Sequence, residues 1–388
     1  MRRTENRILT THAGSLPRPA ALVEMLVRKS RGEEPDGASM AQLIEESTRS
    51  AIRKQLEAGI DVGNNGEQSR ESFFTHVRHR MTGFGGRSER PIMRDLVEYP
   101  TYRQLMAPLF QRTMVDLLHA PKAIGEVKYR DRSEVEFECS ETLRLLAEQQ
   151  SKFVEPFMTA PSPGIIASAM LNEYYSNYEN YVNAVASALK TEYQCIAANG
   201  FVLQIDAPDL AMERHTSYAD RPLKEFLEYV ETNVEATNRA LEGIDAEQVR
   251  LHVCWGNYEA PHDLDVPLGE ILPILYRAKA GALVLEAANP RHQHEYRCFK
   301  QCPMPEHMSL VTGVIDTKTN YVEHPETIAD RLERAAMAVG DPRRIMAATD
   351  CGFETSAGLG EVVEEVVWAK LRAMREGADL ASERLLRN

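Results

Sequence analysis

Eight short apolar, β-rich runs recur along the chain, and helical patterns separate most of them. The runs are "NRILTTHAGS" (6–15), "GIDVGNNGE" (59–67), "KFVEPFMTAP" (152–161), "FVLQIDAPD" (201–209), "VRLHVCWGN" (249–257), "ALVLEAAN" (282–289), "LVTGVIDT" (310–317) and "RIMAATDCGF" (344–353). Apolar residues recur at helical spacing in 40–58, 179–199, 223–243 and 325–340. Strands alternating with helices demand a parallel sheet. Eight such units predict an α/β TIM (β/α)8 barrel, with its site at the carboxyl ends of the strands. Segment 90–135 breaks the alternation, and 120–131 reads as part of a β-hairpin excursion between the second and third strands. Segment 27–39 reads as a polar loop after the first strand, and 360–388 as a charged amphipathic helix. No linker divides the chain, so residues 1–388 are expected to form a single domain.

Composition narrows what such a barrel can do. The chain has 388 residues, long enough for one large barrel with embellishments. Its formal net charge of -13 argues against nucleic acid or an anionic membrane as partner. No apolar run approaches the roughly 20 residues that span a bilayer. The start, "MRRTENRILTTHAGS", lacks the apolar core of a signal peptide. Six cysteines without a regular framework point to a reducing cytoplasm, where thiols are inert, catalytic or metal-bound.

The runs begin apolar and end in reactive groups: His12 and Ser15, Glu67, Asp206, His252 with Cys254, Glu286, Asp316 with Lys318, and Asp350 with Cys351. In a barrel these converge on one mouth. His252 and Cys254 lie two apart, on one face of a strand. Zinc takes nitrogen and sulfur ligands in a tetrahedron, and a catalytic site keeps one position exchangeable. Glu286 and Cys351, from later strand ends, complete a candidate set in which the carboxylate leaves most easily. Other readings stand beside it. Cys254 suits a buried core, and Cys298 with Cys302, near His292 and His294, offers a competing set.

Several stretches together resemble the catalytic barrel of cobalamin-independent methionine synthase. They are "TTHAGSLPRP" (10–19), "GNNGEQSR" (63–70), "LQIDAPDL" (203–210), "LHVCWGN" (251–257), "TGVIDTKTNYVEHPE" (312–326) and "ATDCGF" (348–353). The chain is similar to the shorter, single-barrel members, which include archaeal methionine synthases and epoxyalkane:coenzyme M transferase. The resemblance implies a catalytic Zn2+ held by His252, Cys254, Glu286 and Cys351. It also implies that Gly14 and Ser15 meet the carboxyl group of homocysteine, and that Glu67 and Asp206 hold its amino group. The expected partners are a small-molecule thiol and a methyl or alkyl donor: a folate, a methylcorrinoid protein, or an epoxide opened by coenzyme M.

The departures are informative. The family's "DEP" reads "DAP", with Ala207 in place of the acid. Lys318 stands where methionine synthase carries its general-acid histidine, and Asp316 is placed to orient it. Segment 159–171 lacks the tryptophan used against a pterin. His76, Arg78, His79 and Arg80 are expected to bind an anion at the mouth, with Phe73 and Phe74 as walls. Asn289, Arg291 and His292 are expected to orient the ligands, and Trp255 to wall the site. Two acids favour an amino-acid thiol; the basic cluster favours a sulfonate thiol.

Overall fold

In a computed structural model, residues 1–108 and 114–386 are described, and nine strands form among them. They are β1 (Val62–Gly63), β2 (Met81–Gly85), β3 (Lys122–Tyr129), β4 (Glu155–Pro161), β5 (Val202–Asp206), β6 (Val249–Val253), β7 (Ala282–Leu285), β8 (Ser309–Ile315) and β9 (Ile345–Thr349). Seven make one curled parallel sheet in the order β1-β4-β5-β6-β7-β8-β9. Helices form where the sequence periodicity predicts them: Gly37–Glu57 ahead of β1, and Tyr178–Ala198, Leu223–Ala240 and Pro325–Val339 between strands of the sheet. The helix at the C-terminal end runs Glu364–Leu386.

A parallel sheet covered on both faces needs near-continuous apolar strands. Every residue of β5 to β9 is accordingly buried. Alternate residues serve two cores. Val202, Ala282, Val284, Val311 and Met346 pack with Phe157 on one face of the sheet. Leu203, Ile205, Leu251, Leu283 and Leu310 join the larger core that includes the helices. Arg250 shares the first face, its guanidinium 3.8 Å from the centre of the Phe157 ring.

The first run is shorter than expected. Only Thr10 and Thr11 form bridges, to Ala347 of β9 and Val62 of β1, so they join the two edges of the sheet. Asp61 takes hydrogen-bonding capacity that a longer ladder would use. Its Oδ2 accepts from Thr10 N (3.0 Å), Thr10 Oγ1 (3.2 Å) and Arg375 Nη1 (2.8 Å), and Oδ1 pairs with Arg7. The carboxylate thus ties the first run to β1 and to the helix Glu364–Leu386.

Two other expectations change. Helix Ala20–Ser30 enters the segment read as a polar loop, because Leu22, Leu26 and Val27 bury one face of it. The excursion contains an antiparallel pair, β2 with β3, rather than a tight hairpin: residues 86–121 separate its strands and carry helices Arg94–Glu98 and Pro100–Met106.

Removing one partner of a buried ion pair costs about 3 kcal/mol or more. Asp61→Ala should therefore lower the unfolding free energy by about 3 kcal/mol in urea titration. A loss below about 0.5 kcal/mol, the size of an ordinary surface substitution, would contradict the clamp.

Candidate functional site

The carboxyl ends of the parallel strands surround a cavity of about 920 Å³, counted with its open mouth. Register delivers its polar residues. Asp206 ends β5 directly beside His252 of β6. Cys254 follows β6, and Cys351 lies two residues beyond β9. The ligand atoms of His252, Cys254 and Cys351 all lie within 4.8 Å of one another, and all three residues are buried. The two sulfurs are 4.0 Å apart. Two thiolates on one tetrahedral zinc would be about 3.8 Å apart, given Zn–S distances of about 2.3 Å. His252 Nδ1 bonds Asp206 Oδ1 at 2.9 Å, while Nε2 is buried with no partner. A histidine fixed by a carboxylate through one nitrogen, with the other vacant among sulfurs, suits a metal ligand. The cluster is a candidate His/Cys/Cys metal site.

The electrostatics are those of a crowded buried set. Burial works against a charged His252 ring, but Asp206, Cys254 and Glu286 raise it to about 9. The Cys351 hydrogen bond and His252 draw the Cys254 thiol down against burial, while the same bond and burial push Cys351 up. One sulfur is thereby predisposed to give up its proton.

Glu286 is close enough for its charge to act on all three residues, His252, Cys254 and Cys351. Its Oε1 accepts from Trp255 N (3.1 Å), and Oε2 from Asn289 Nδ2 (2.7 Å) and Lys318 Nζ (3.4 Å). It falls outside the three-residue cluster, engaged by these donors instead. The loop carrying it is clamped by Asp350, whose oxygens accept from the N–H groups of Ala287, Ala288 and Asn289 and from Asn289 Nδ2, at 2.8–2.9 Å. Asp350 is marked in sequence only as a strand-end residue; its clamp is not legible there, because the partners come from another strand end.

Ser15, Glu67 and Asp206 line the same cavity as the cluster. Glu67 has φ 57°, a region that non-glycine residues rarely occupy and that recurs at functional sites. Its Oε1 accepts from Thr159 Oγ1 at 2.8 Å; Oε2 is buried and unpartnered, as is Ser15 Oγ. Burial, and next the Asp206 charge, push its carboxyl up to about 7. Gly14 has φ 131°, and a Cβ there would meet Glu67 Oε1 and Thr159 Cγ2, so only glycine lets this turn pass.

Several expected roles move. Lys318 and Asp316 do not line the cavity. Lys318 reaches Glu286, and that charge, with Asp350 and Asp316, holds it protonated above the usual lysine range despite burial. Asp316 accepts from Lys318 N (3.0 Å) and Thr319 Oγ1 (2.8 Å), shaping the turn. The basic cluster is spent internally: Arg80 on Glu138 and Glu192, His79 and Arg78 on Glu71, His76 on Ser72 O and Glu192. None of the four lines the cavity, whereas Phe73 and Phe74 do. Trp255 is fully buried, stacked on His292 at 4.1 Å, and so is core behind the site rather than its wall. Arg291 is exposed. His12 is a buried support, bonded to Gln55 and to Gly14 N. Within segment 159–171, which lacks a pterin-stacking tryptophan, residues 163–169 form a helix buried along its whole length.

Fold and cluster define a parallel α/β scaffold with a sulfur-rich metal-binding candidate at its strand ends. The family profile described as "Cobalamin-independent synthase, Catalytic domain" matches residues 117–380, and the chain belongs to that family. Methionine synthase of Saccharolobus solfataricus is 25% identical over 384 residues, 97% of this chain and 96% of that protein. Methionine synthase of Thermococcus kodakarensis is 24% identical, covering 97% and 94%. The 2-hydroxypropyl-CoM lyase of Xanthobacter autotrophicus is 22% identical, covering 97% and 96%. Among solved structures, a B12-independent methionine synthase from Shewanella sp. W3-18-1, in complex with selenomethionine, shares the fold. Its TM-score is 0.71, at 22% identity over 98% of this chain and 99% of that one.

Because Glu67 sits near 7 folded and near 4.5 unfolded, the folded state favours its protonated form. Its contribution to stability is present below pH 4.5 and is lost as pH rises through 7. Glu67→Gln should remove that loss. Relative to the variant, the native protein should weaken by up to about 3 kcal/mol between about pH 4.5 and 7.5. Parallel pH profiles of the two proteins in urea would contradict the assignment.

Proposed function

We propose that the protein is a zinc-dependent methyltransferase that alkylates the sulfur of a homocysteine-like thiol. The carrying observation is the His252, Cys254 and Cys351 cluster opening on one cavity with Ser15, Glu67 and Asp206. In this reading the sheet, bridged at Thr10 and Thr11, acts as an eight-stranded (β/α)8 barrel and the chain as one catalytic unit. Family membership supports both.

The residues present fit zinc: a vacant imidazole nitrogen and two thiols at tetrahedral spacing, with Glu286 adjacent. His252 Nε2, Cys254 and Cys351 would hold it, with Glu286 as the exchangeable fourth ligand. Bound zinc would supply the charge that keeps a substrate thiol deprotonated at neutral pH. Asp206 fixes the His252 ring. Lys318, Asn289 and the Trp255 N–H hold Glu286 in place, so Lys318 serves as a positioning residue rather than as an acid toward the donor. Glu67, with its free Oε2, and Asp206 receive the substrate ammonium, and Ser15 Oγ the carboxylate. Oriented charge pairing of this kind selects an amino-acid thiol over other thiols.

The second reading is thiol alkylation by epoxide opening, as the similarity to 2-hydroxypropyl-CoM lyase suggests. Two buried acids beside the cluster disfavour a sulfonate thiol there. No described helix is long and apolar enough to cross a membrane, and the six cysteines are free, which suits work in a reducing cytoplasm.

Elemental analysis of the full chain should find about one zinc per molecule. Cys351→Ala and His252→Ala should each lose most of it. The zinc form should make methionine from homocysteine with at least one of methyltetrahydrofolate, a methylcorrinoid protein and free methylcobalamin. Zinc-free native protein, or full zinc in both variants, would contradict the site. Turnover of coenzyme M with an epoxide, and none of homocysteine, would establish the second reading instead.

A further inference from the structure

The long arm between β2 and β3 walls the cavity with Met93, Leu117 and Leu118, and among these apolar groups stands Arg90. It is the one lysine or arginine lining the cavity among the described residues. Its backbone is fixed by Arg90 N to Leu118 O (3.1 Å), and nearby Ser88 N donates to Ala120 O (2.6 Å) and Leu171 N to Ser88 Oγ (2.9 Å). The side chain is 10% exposed, and among the described residues its sole side-chain partner is Glu213, which pairs with Nη2. Glu213 is fully buried, and its second oxygen accepts from Thr216 Oγ1 at 2.6 Å. Arg90 Nη1 donates to no described group; Nε is sealed from solvent and out of a ligand's reach.

A guanidinium has five donors in a planar fork suited to carboxylate and sulfonate oxygens. Burying such a group with donors unspent is costly unless something else takes them. The cavity therefore has acids Glu67 and Asp206 beside the sulfur cluster, and on its apolar wall the guanidinium of Arg90, paired on one side with Glu213. We propose that Arg90 is the receptor for a carboxylate or sulfonate on the molecule that fills the apolar side of this cavity. Apolar walls take that molecule's body, and Arg90 takes its anion through Nη1, the donor that Glu213 leaves unspent. This inference rests on the proposed reaction only for which of the two substrates carries the anion; the binding itself needs no turnover.

The experiment measures calorimetric binding of three probes to the zinc-loaded full chain: homocysteine, 2-mercaptoethanesulfonate and 5-methyltetrahydrofolate. Arg90→Met alone would strand the buried Glu213 charge, so the working variant is Arg90→Met with Glu213→Gln, which removes both members of the pair. Arg90→Lys is the second variant. The double variant should fold with native zinc content and bind homocysteine within about twofold of native. It should lose about tenfold or more in affinity for at least one of the other two probes. Arg90→Lys should recover part of that loss, since it keeps the charge but not the fork. A loss confined to methyltetrahydrofolate places the anion on the methyl donor; one confined to the sulfonate places it on the thiol. Unchanged affinity for both probes in the double variant overturns the proposal and leaves Arg90 as the counter-ion of Glu213. So does native protein that binds neither. Failure of the thiol reading is separately visible, as lost zinc or absent homocysteine binding in the native protein.

Discussion

The bond between His252 Nδ1 and Asp206 Oδ1 decides the character of the whole site. It commits one ring nitrogen to the protein and leaves the other vacant beside two sulfurs. Asp206 is itself held: Gln204 Nε2 donates to the same oxygen at 2.7 Å and to Ala13 O at 2.6 Å. Gln204 Oε1 in turn accepts from Arg250 Nε at 2.7 Å, and Arg250 reaches Thr11 Oγ1 and His12 O. A polar chain thus runs on the inner face of the sheet, from the run that bridges its edges to the metal candidate. Burial forces this continuity, because each of these groups would be costly without a partner.

The same logic governs the far side of the cluster. Glu286 is not free to swing at random; Trp255 N, Asn289 and Lys318 define its resting place. Asp350 fixes the loop beneath it through four N–H donors and sits next to Cys351 in sequence. Close approach is needed for this, and a Cβ on Gly313 would collide with the Asp350 carboxylate. A carboxylate held this way, bonded to other donors beside the cluster, would suit the exchangeable fourth ligand of the proposed metal site.

The sequence made the sheet and the cluster legible for physical reasons. Strands buried on both faces write themselves as apolar runs, and a period of two puts His252 and Cys254 on one face. Polar residues at strand ends then mark the mouth. What stayed hidden depends on distant partners. Arg80 and His76 read as free in sequence because their acids, Glu138 and Glu192, lie far along the chain; Glu71, which takes Arg78 and His79, is close in sequence, but the turn that folds it back onto them is not legible there. Lys318 looked like an acid facing the donor, and its orientation toward Glu286 is a tertiary fact. The first run looked like a full strand because nothing local announces that Asp61 takes the Thr10 N–H. Arg90 lay in the segment that broke the alternation, where no periodicity could place it against the cavity.

The central claim is that two cysteine sulfurs and one imidazole nitrogen share a metal that accepts the substrate sulfur. Zinc K-edge X-ray absorption on the zinc-loaded full chain tests it most directly. Two sulfur neighbours at about 2.3 Å are expected without substrate and three when homocysteine is added, with a light-atom neighbour lost. A sulfur count that does not rise with homocysteine, or a zinc shell without sulfur, would contradict it.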